Sequence, residues 1–453
     1  MTLPVAIVAL VGAGLVASAL AATPVLAATP ALAATPALAA EDPTFGPPTA
    51  TSQFLTGISL REPVTLPAGV TRVEALVRTE GSERVLVTPL STTAAGSQTL
   101  AYQFATPSGG LIPNTVVRLS FRVTLADGST VEGPAASLRY ADTRFDWKTL
   151  SDGLVTVHWT EGDDVFGRRA LSIASAGIDK ASSLLGVSET EPIDFFVYAD
   201  QSAFYDVLGP ASRENVGGVA FPEIRTLFAN IAAGDLDAAW VGIVIPHELT
   251  HLVFGTATDN PYHEPLHWLN EGLAVYLSEG YGGASRQSVR AAVENHSLMP
   301  LSALAGQFPT SGDRFSLAYD EAVSAVDFMI RRYGRAGLVK LIRSYGSGVS
   351  DDGAFEAGIG TDQAGFEAAW LADLGAPAPS PFGPRAAPAG PVPAGWAGGG
   401  TAGAGTRGGN TAGNPSSGGT GTGQIQAIGW LAVMLVLVGL GLGGARLAMR
   451  DRR

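Results

Sequence analysis

Between Val70 and Leu125 apolar and polar residues alternate in short runs. "TRVEALVRT", "ERVLVTPL", "TLAYQFAT" and "TVVRLSFRVTL" each put apolar residues on one face of an extended chain, the period of a half-buried strand. Ala126-Asp127-Gly128-Ser129 is a hairpin signal before "TVEGPAASLRY". Regularly spaced strands across 43–142 predict an all-β sandwich of the immunoglobulin or fibronectin type III kind. From Phe145 the texture changes. "GLVTVHWTEG" and "IDFFVYAD" read as strands, with a helical stretch, "FGRRALSIASAGIDKASSLLG", between them. After Asp235 helical periodicity runs down to "FEAAWLADLG". A small mixed sheet followed by helices predicts an α+β domain over 145–375.

The two ends carry a different pattern. "LPVAIVALVGAGLVASALAA" is apolar and uncharged and leads to small-residue sites such as Ala19-Leu20-Ala21 and Ala37-Leu38-Ala39, so 1–40 reads as a secretory signal with an Ala/Pro-rich leader. No Lys or Arg precedes the run, which leaves the α-amine as its positive end. Residues 376–424 are rich in Pro, then in Gly, Ser and Thr, and predict a disordered stalk. Ile428 to Ala445 is 18 residues without a charge, and a single transmembrane helix is expected over 425–447. Trp430 stands near one end, and Arg446, Arg450, Arg452 and Arg453 follow, which puts the tail 448–453 in the cytoplasm and the bulk of the chain outside the cell.

Composition narrows the chemistry. The chain has 453 residues, 46% of them hydrophobic and 15% charged, with a formal net charge of -13. That balance argues against a nucleic-acid partner, since phosphate binding needs a basic face. There is no cysteine, so disulfides and thiolate metal sites are excluded, and any zinc must be held by His and carboxylates.

Four of the six histidines fall within 21 positions, in two copies of H-E-x-x-H: His247 to His251 and His263 to His267. On a helix, residues four apart share a face, so His247 and His251 can present both imidazoles to one ion, with Glu248 on the adjoining flank. "LDAAWVGIVIPHELTHLVFG" has the matching period. Pro246 either kinks that helix or lies in the first turn of a new one, and neither disturbs the spacing. Glu271 in "WLNEGLAVY", 20 positions after His251, supplies a third ligand and leaves a position for water. The second copy has Pro265 at its centre, which pushes residue 264 out of the helical region. Pro265 then opens the helix that carries Glu271, His263 stays in the loop before it, and the two histidines share no face. His267 lies one turn before Glu271 and reads as a support for a ligand, a substrate contact or a plain surface histidine.

H-E-L-T-H followed by W-L-N-E-G-L-A-V-Y resembles the gluzincins, the zinc peptidases that include thermolysin and the membrane-alanyl-type aminopeptidases, and most of all the peptidase MA-like family. The similarity runs on through "MPLSALAGQFP", "AYDEAVSAVDFMIRRYG" and "AFEAGIGTDQAGFEAAWLADL", covering 145–374. It implies a thermolysin-like zincin fold, a Zn2+ cofactor held by His247, His251 and Glu271, and Glu248 as general base. It also implies, more weakly, a transition-state role for Tyr319. Asn270 reads as a group that orients a ligand or as a helix cap. The aminopeptidase G-x-M-E-N strand is missing; "NVGGVAFPEIRTLFANI" occupies that region and reads as an edge strand able to pair with an extended peptide.

Two functions fit. One is a membrane-anchored extracellular zinc endopeptidase acting on peptide or protein substrates. The other is a cell-surface adhesion or binding protein that uses the gluzincin domain as a scaffold. The intact Glu248 favours the first, because a scaffold has no need of a general base. The sequence fixes neither substrate nor oligomeric state.

Overall fold

The computed structural model describes residues 41–209, 217–260, 263–309 and 311–378. The expected signal and leader (1–40), most of the stalk, the membrane span and the tail lie outside them. No helix among the described residues is long and apolar enough to cross a membrane.

The β-rich N-terminal region comprises β1 (Thr44–Phe45), β2 (Thr49–Gln53), β3 (Gly57–Leu66), β4 (Val70–Thr79), β5 (Val85–Leu90), β6 (Gly96–Ala105), β7 (Val116–Leu125), β8 (Thr130–Glu132) and β9 (Ala136–Arg139). They form two antiparallel sheets. In one, β3 pairs β6 on one side and β1 and β2 on the other; in the second, the order is β5-β4-β7-β8, with β9 also on β7. Inward residues of both sheets, among them Ile58, Leu60, Val64, Val73, Val117, Leu119 and Phe121, make one core.

Strand β3 escapes the alternation read above because Pro63 sits inside it. Its carbonyl accepts from the Gly46 N–H at 2.7 Å, on the side where β2 has ended and β1 has barely begun. The missing proline N–H points to that same gap, so no ladder bond is lost.

The second region begins with β10 (Lys148–Asp152) and β11 (Val155–Trp159), then α1 (Asp164–Leu185), β12 (Ile193–Tyr198), α2 (Gln201–Leu208), β13 (Gly218–Phe221) and β14 (Thr226–Asn230). Asp163 caps the amides of Val165 and Phe166, and Gly186, at φ +64, closes α1. The sheet order is β10-β11-β12-β14-β13: β11, β12 and β14 run parallel, and β13 is an antiparallel edge. The helices follow as α3 (Val241–Thr258), α4 (His267–Ser278), α5 (Gly283–Glu294), α6 (Gly312–Ser344, broken at Gly334), α7 (Asp351–Ile359) and α8 (Gln363–Leu374). This mixed sheet followed by helices is the expected α+β arrangement.

Polar side chains join the two regions. Asn114, at φ +74, donates to Asp194 at 2.8 Å and to Thr226 at 2.9 Å. Asp142 accepts from the Tyr198 hydroxyl at 2.9 Å and from Arg144 at 2.8 Å. Gly109 and Gly209 meet backbone to backbone: a Cβ on either falls 2.6 Å from the other's Cα. So the sandwich docks through a fixed joint, whereas a spacer needs none.

One residue breaks the sandwich pattern. Glu62 takes the inward position between Leu60 and Val64, is fully buried, and neither carboxylate oxygen has a hydrogen-bond partner. Burial pushes its pKa up to about 7. A pKa raised on folding contributes stability below the unfolded value near 4.5, and that contribution is lost as pH rises through about 7. Glu62→Leu is therefore expected to stabilise the protein by about 1–3 kcal/mol, with a larger gain at pH 8 than at pH 5. Thermal unfolding followed at both pH values checks this; equal or negative shifts contradict it.

Candidate metal centre

Helix α3 is buried on nearly every side, as its apolar sequence requires. It runs unbroken from Val241 through Pro246, which lies in its second turn, so of the two options for that proline neither a fresh start nor a break is needed. The proline ring side packs on α1, where a Cβ at Gly177 would stand 3.1 Å from Pro246 Cα. One turn of α3 separates His247 from His251, and their rings lie 5.0 Å apart.

Helix α4 starts at His267, two residues after Pro265, with Leu266 at its cap position. The expectation that Pro265 itself opens the helix is off by these two residues: Pro265 and Leu266 still belong to the approach, with Leu266 at ψ 128. Gly272 lets α4 sit directly on α6, since a Cβ there would fall 2.4 Å from the Ala322 carbonyl oxygen. That close crossing swings Glu271 to the histidines. His247, His251 and Glu271 offer ligand atoms all within 4.8 Å of one another, and all three are buried. His247 Nε2 lies 3.7 Å from Glu271 Oε2. Ligand atoms about 2.1 Å from a tetrahedral zinc stand roughly 3.4 Å apart, so the group needs little adjustment.

The chemistry of the donor set supports the same ion. The His251 Nδ1–H donates to Asn270 Oδ1 at 2.7 Å, which turns the lone pair of Nε2 to the centre. His251 Nε2 and both oxygens of Glu271 are buried without a hydrogen bond of ordinary geometry. Burial lowers His247 to about 3 and takes His251 well below its usual value. It also raises Glu271 well above the carboxylate range; the Glu248 charge adds to this and the Tyr319 hydroxyl offsets part. Neutral imidazoles and uncompensated buried carboxylates are the state that a divalent cation resolves.

Glu248 is next to this group, 1% exposed, with both oxygens lacking a hydrogen bond of ordinary geometry. Burial raises it well above its usual range, and the nearby Ala220 N–H offsets part of that. Edge strand β13 lies against it so closely that a Cβ on Gly218 would stand 2.8 Å from Glu248 Cγ. Nothing in the periodicity of "NVGGVAF" marks Gly218 for this, though the Gly pair was visible.

Tyr319 on α6 has its ring 6.5 Å from that of His247. Phe308 stands edge-on to Tyr319 at 5.0 Å and to His267 at 4.7 Å. His263 is elsewhere: its ring pairs with Asp351 at 3.1 Å and leans on Tyr345 at 5.7 Å. The second H-E-x-x-H thus holds no ion between its own histidines.

Residues 173–376 match the Peptidase MA superfamily, which bears out the resemblance to the peptidase MA-like zinc metallopeptidases carried by the two motifs. The His247–His251–Glu271 group within that stretch fits Zn2+ as cofactor. No curated protein matches the chain. Among solved structures, an M1 zinc metallopeptidase from Deinococcus radiodurans is 13% identical, covers 73% of this chain and 93% of its own, and has a TM-score of 0.33. An aminopeptidase N family protein from Idiomarina loihiensis is 10% identical, covers 67% of this chain and 71% of its own, and has a TM-score of 0.35. Likenesses this distant say nothing of the activity of this chain.

Proposed function

We propose that the protein is a zinc endopeptidase anchored in the membrane by its C-terminal span, with the catalytic domain outside the cell. The observation that carries the catalytic part is Glu248: a buried carboxylate without a hydrogen bond of ordinary geometry, beside the His247–His251–Glu271 group. A binding scaffold gains nothing from such a group, which destabilises the fold.

Bound zinc supplies Lewis-acid polarisation of the scissile carbonyl and acidifies the attacking water. Glu248, beside the His247–His251–Glu271 group, would take the proton of that water and pass it to the leaving amine. The Tyr319 hydroxyl, on the wall formed with Phe308, donates to the oxyanion as charge develops there. Edge strand β13 pairs with the substrate backbone and lays an extended peptide across Glu248. The G-x-M-E-N glutamate that would capture a free amine is absent from Asn215–Ile231, which supports cleavage within a chain over trimming from its end.

Outward exposure and anchoring rest on the run Ile428–Ala445 and the arginines after it. The full chain should sediment with membranes, and truncation after Gln424 should release it. Release of neither form, or of both, would contradict the anchor.

The test of catalysis is Glu248→Gln in the full chain. It should keep its zinc and lose about 10²–10⁴-fold in turnover of an internally quenched peptide library. Equal turnover by both zinc-loaded forms would contradict the role of Glu248.

A further inference from the structure

The last histidine of the second H-E-x-x-H stands where a use for it can be argued. His267 is the first residue of α4, one helical turn before Glu271, and its Nε2 lies 3.3 Å from Glu271 Oε1. The other oxygen, Oε2, faces His247 Nε2 at 3.7 Å. So the two oxygens of one fully buried carboxylate face two different histidines, one on the metal side and one away from it.

The ring of His267 is held in place. Its backbone N–H donates to the Ala305 carbonyl at 2.9 Å, which ties the start of the helix to the neighbouring loop. Phe308 packs edge-on against the imidazole at 4.7 Å. The side chain is 25% exposed, so it sits at the rim of the site with its inner nitrogen turned to the carboxylate.

We propose that His267 is a positioning residue for the metal: its Nε2, 3.3 Å from Glu271 Oε1, would close to a hydrogen bond with that oxygen once zinc is held, leaving Oε2 as the oxygen turned to the ion. A carboxylate on a two-carbon stem can otherwise swing to offer both oxygens to the ion, which would crowd the open position that the substrate needs. A partner on the far oxygen fixes the carboxylate plane and keeps it one-pronged. His251 already has such a partner in Asn270, and outer partners of this kind are worth roughly 10–100-fold in metal affinity. The inference rests on the zinc assignment and not on turnover.

The experiment uses the full chain and competes zinc against a chromophoric chelator. His267→Phe keeps ring volume and removes the donor; His267→Gln places an amide N–H at similar reach. Asn270→Ala supplies the reference loss for one outer contact. His267→Phe is expected to weaken zinc binding about 10–100-fold, and His267→Gln to recover most of it. Unchanged affinity in His267→Phe, or equal loss in both His267 variants, would overturn the proposal. If His267→Phe does not fold, as judged by its thermal transition, the comparison of His267→Gln with wild type decides alone: a Gln variant more than about tenfold weaker would overturn it. The zinc X-ray absorption edge of the wild-type protein gives a second readout. Two imidazole nitrogens are expected; three would put His267 on the ion itself and also overturn the proposal. Wild-type protein that binds zinc and cleaves no peptide would count against the reading of the previous subsection only.

Discussion

Two imidazoles and two carboxylates packed together in a dry interior form the constraint on which the rest of this domain depends. Burial is the leading influence on all four groups, and it works against the charged form of each. A protein interior tolerates such a cluster only if something resolves it. A divalent cation does: it needs neutral imidazoles and charged carboxylates, and it turns the cost of their burial into binding free energy. The surrounding architecture can be understood as the means of bringing these side chains together.

Three close approaches achieve this. Helix α3 leans on α1 where Gly177 leaves room for Pro246. Helix α4 drops onto α6 because Gly272 has no side chain. Strand β13 closes over Glu248 at Gly218. A Cβ at Gly272 or Gly218 would collide with the neighbouring element and one at Gly177 would crowd it, so small residues fix the distances that the larger ligands need. The sandwich adds a fixed joint through Asn114, Asp142 and the Gly109–Gly209 contact. Its place beside the α+β region is built into the fold.

Much of this was legible in the sequence. Alternation marked the strands from β4 to β9, and the i, i+4 spacing of His247 and His251 survives any reading of Pro246. Glu271 was legible because it follows His251 by 20 positions in "WLNEGLAVY", a carboxylate where two histidines need a third ligand. What stayed hidden depends on contacts between distant segments. Strand β3 was masked by Pro63, whose tolerance depends on where β1 and β2 end. Glu62 looked like an ordinary strand glutamate, and only the packing shows that it points inward. Asn270 and His267 were each left open between a local and a ligand-holding role, because the choice turns on which way α4 faces. The local letters do not encode that orientation; the Gly272 crossing does.

The most direct measurement is elemental analysis of the full chain, purified without added metal and without chelator. One equivalent of zinc per chain is expected, removed by dialysis against a strong chelator and not retained when His251 is replaced by Ala. Protein that carries no zinc and takes none up when it is supplied would contradict the metal centre, and with it the chemistry assigned to Glu248.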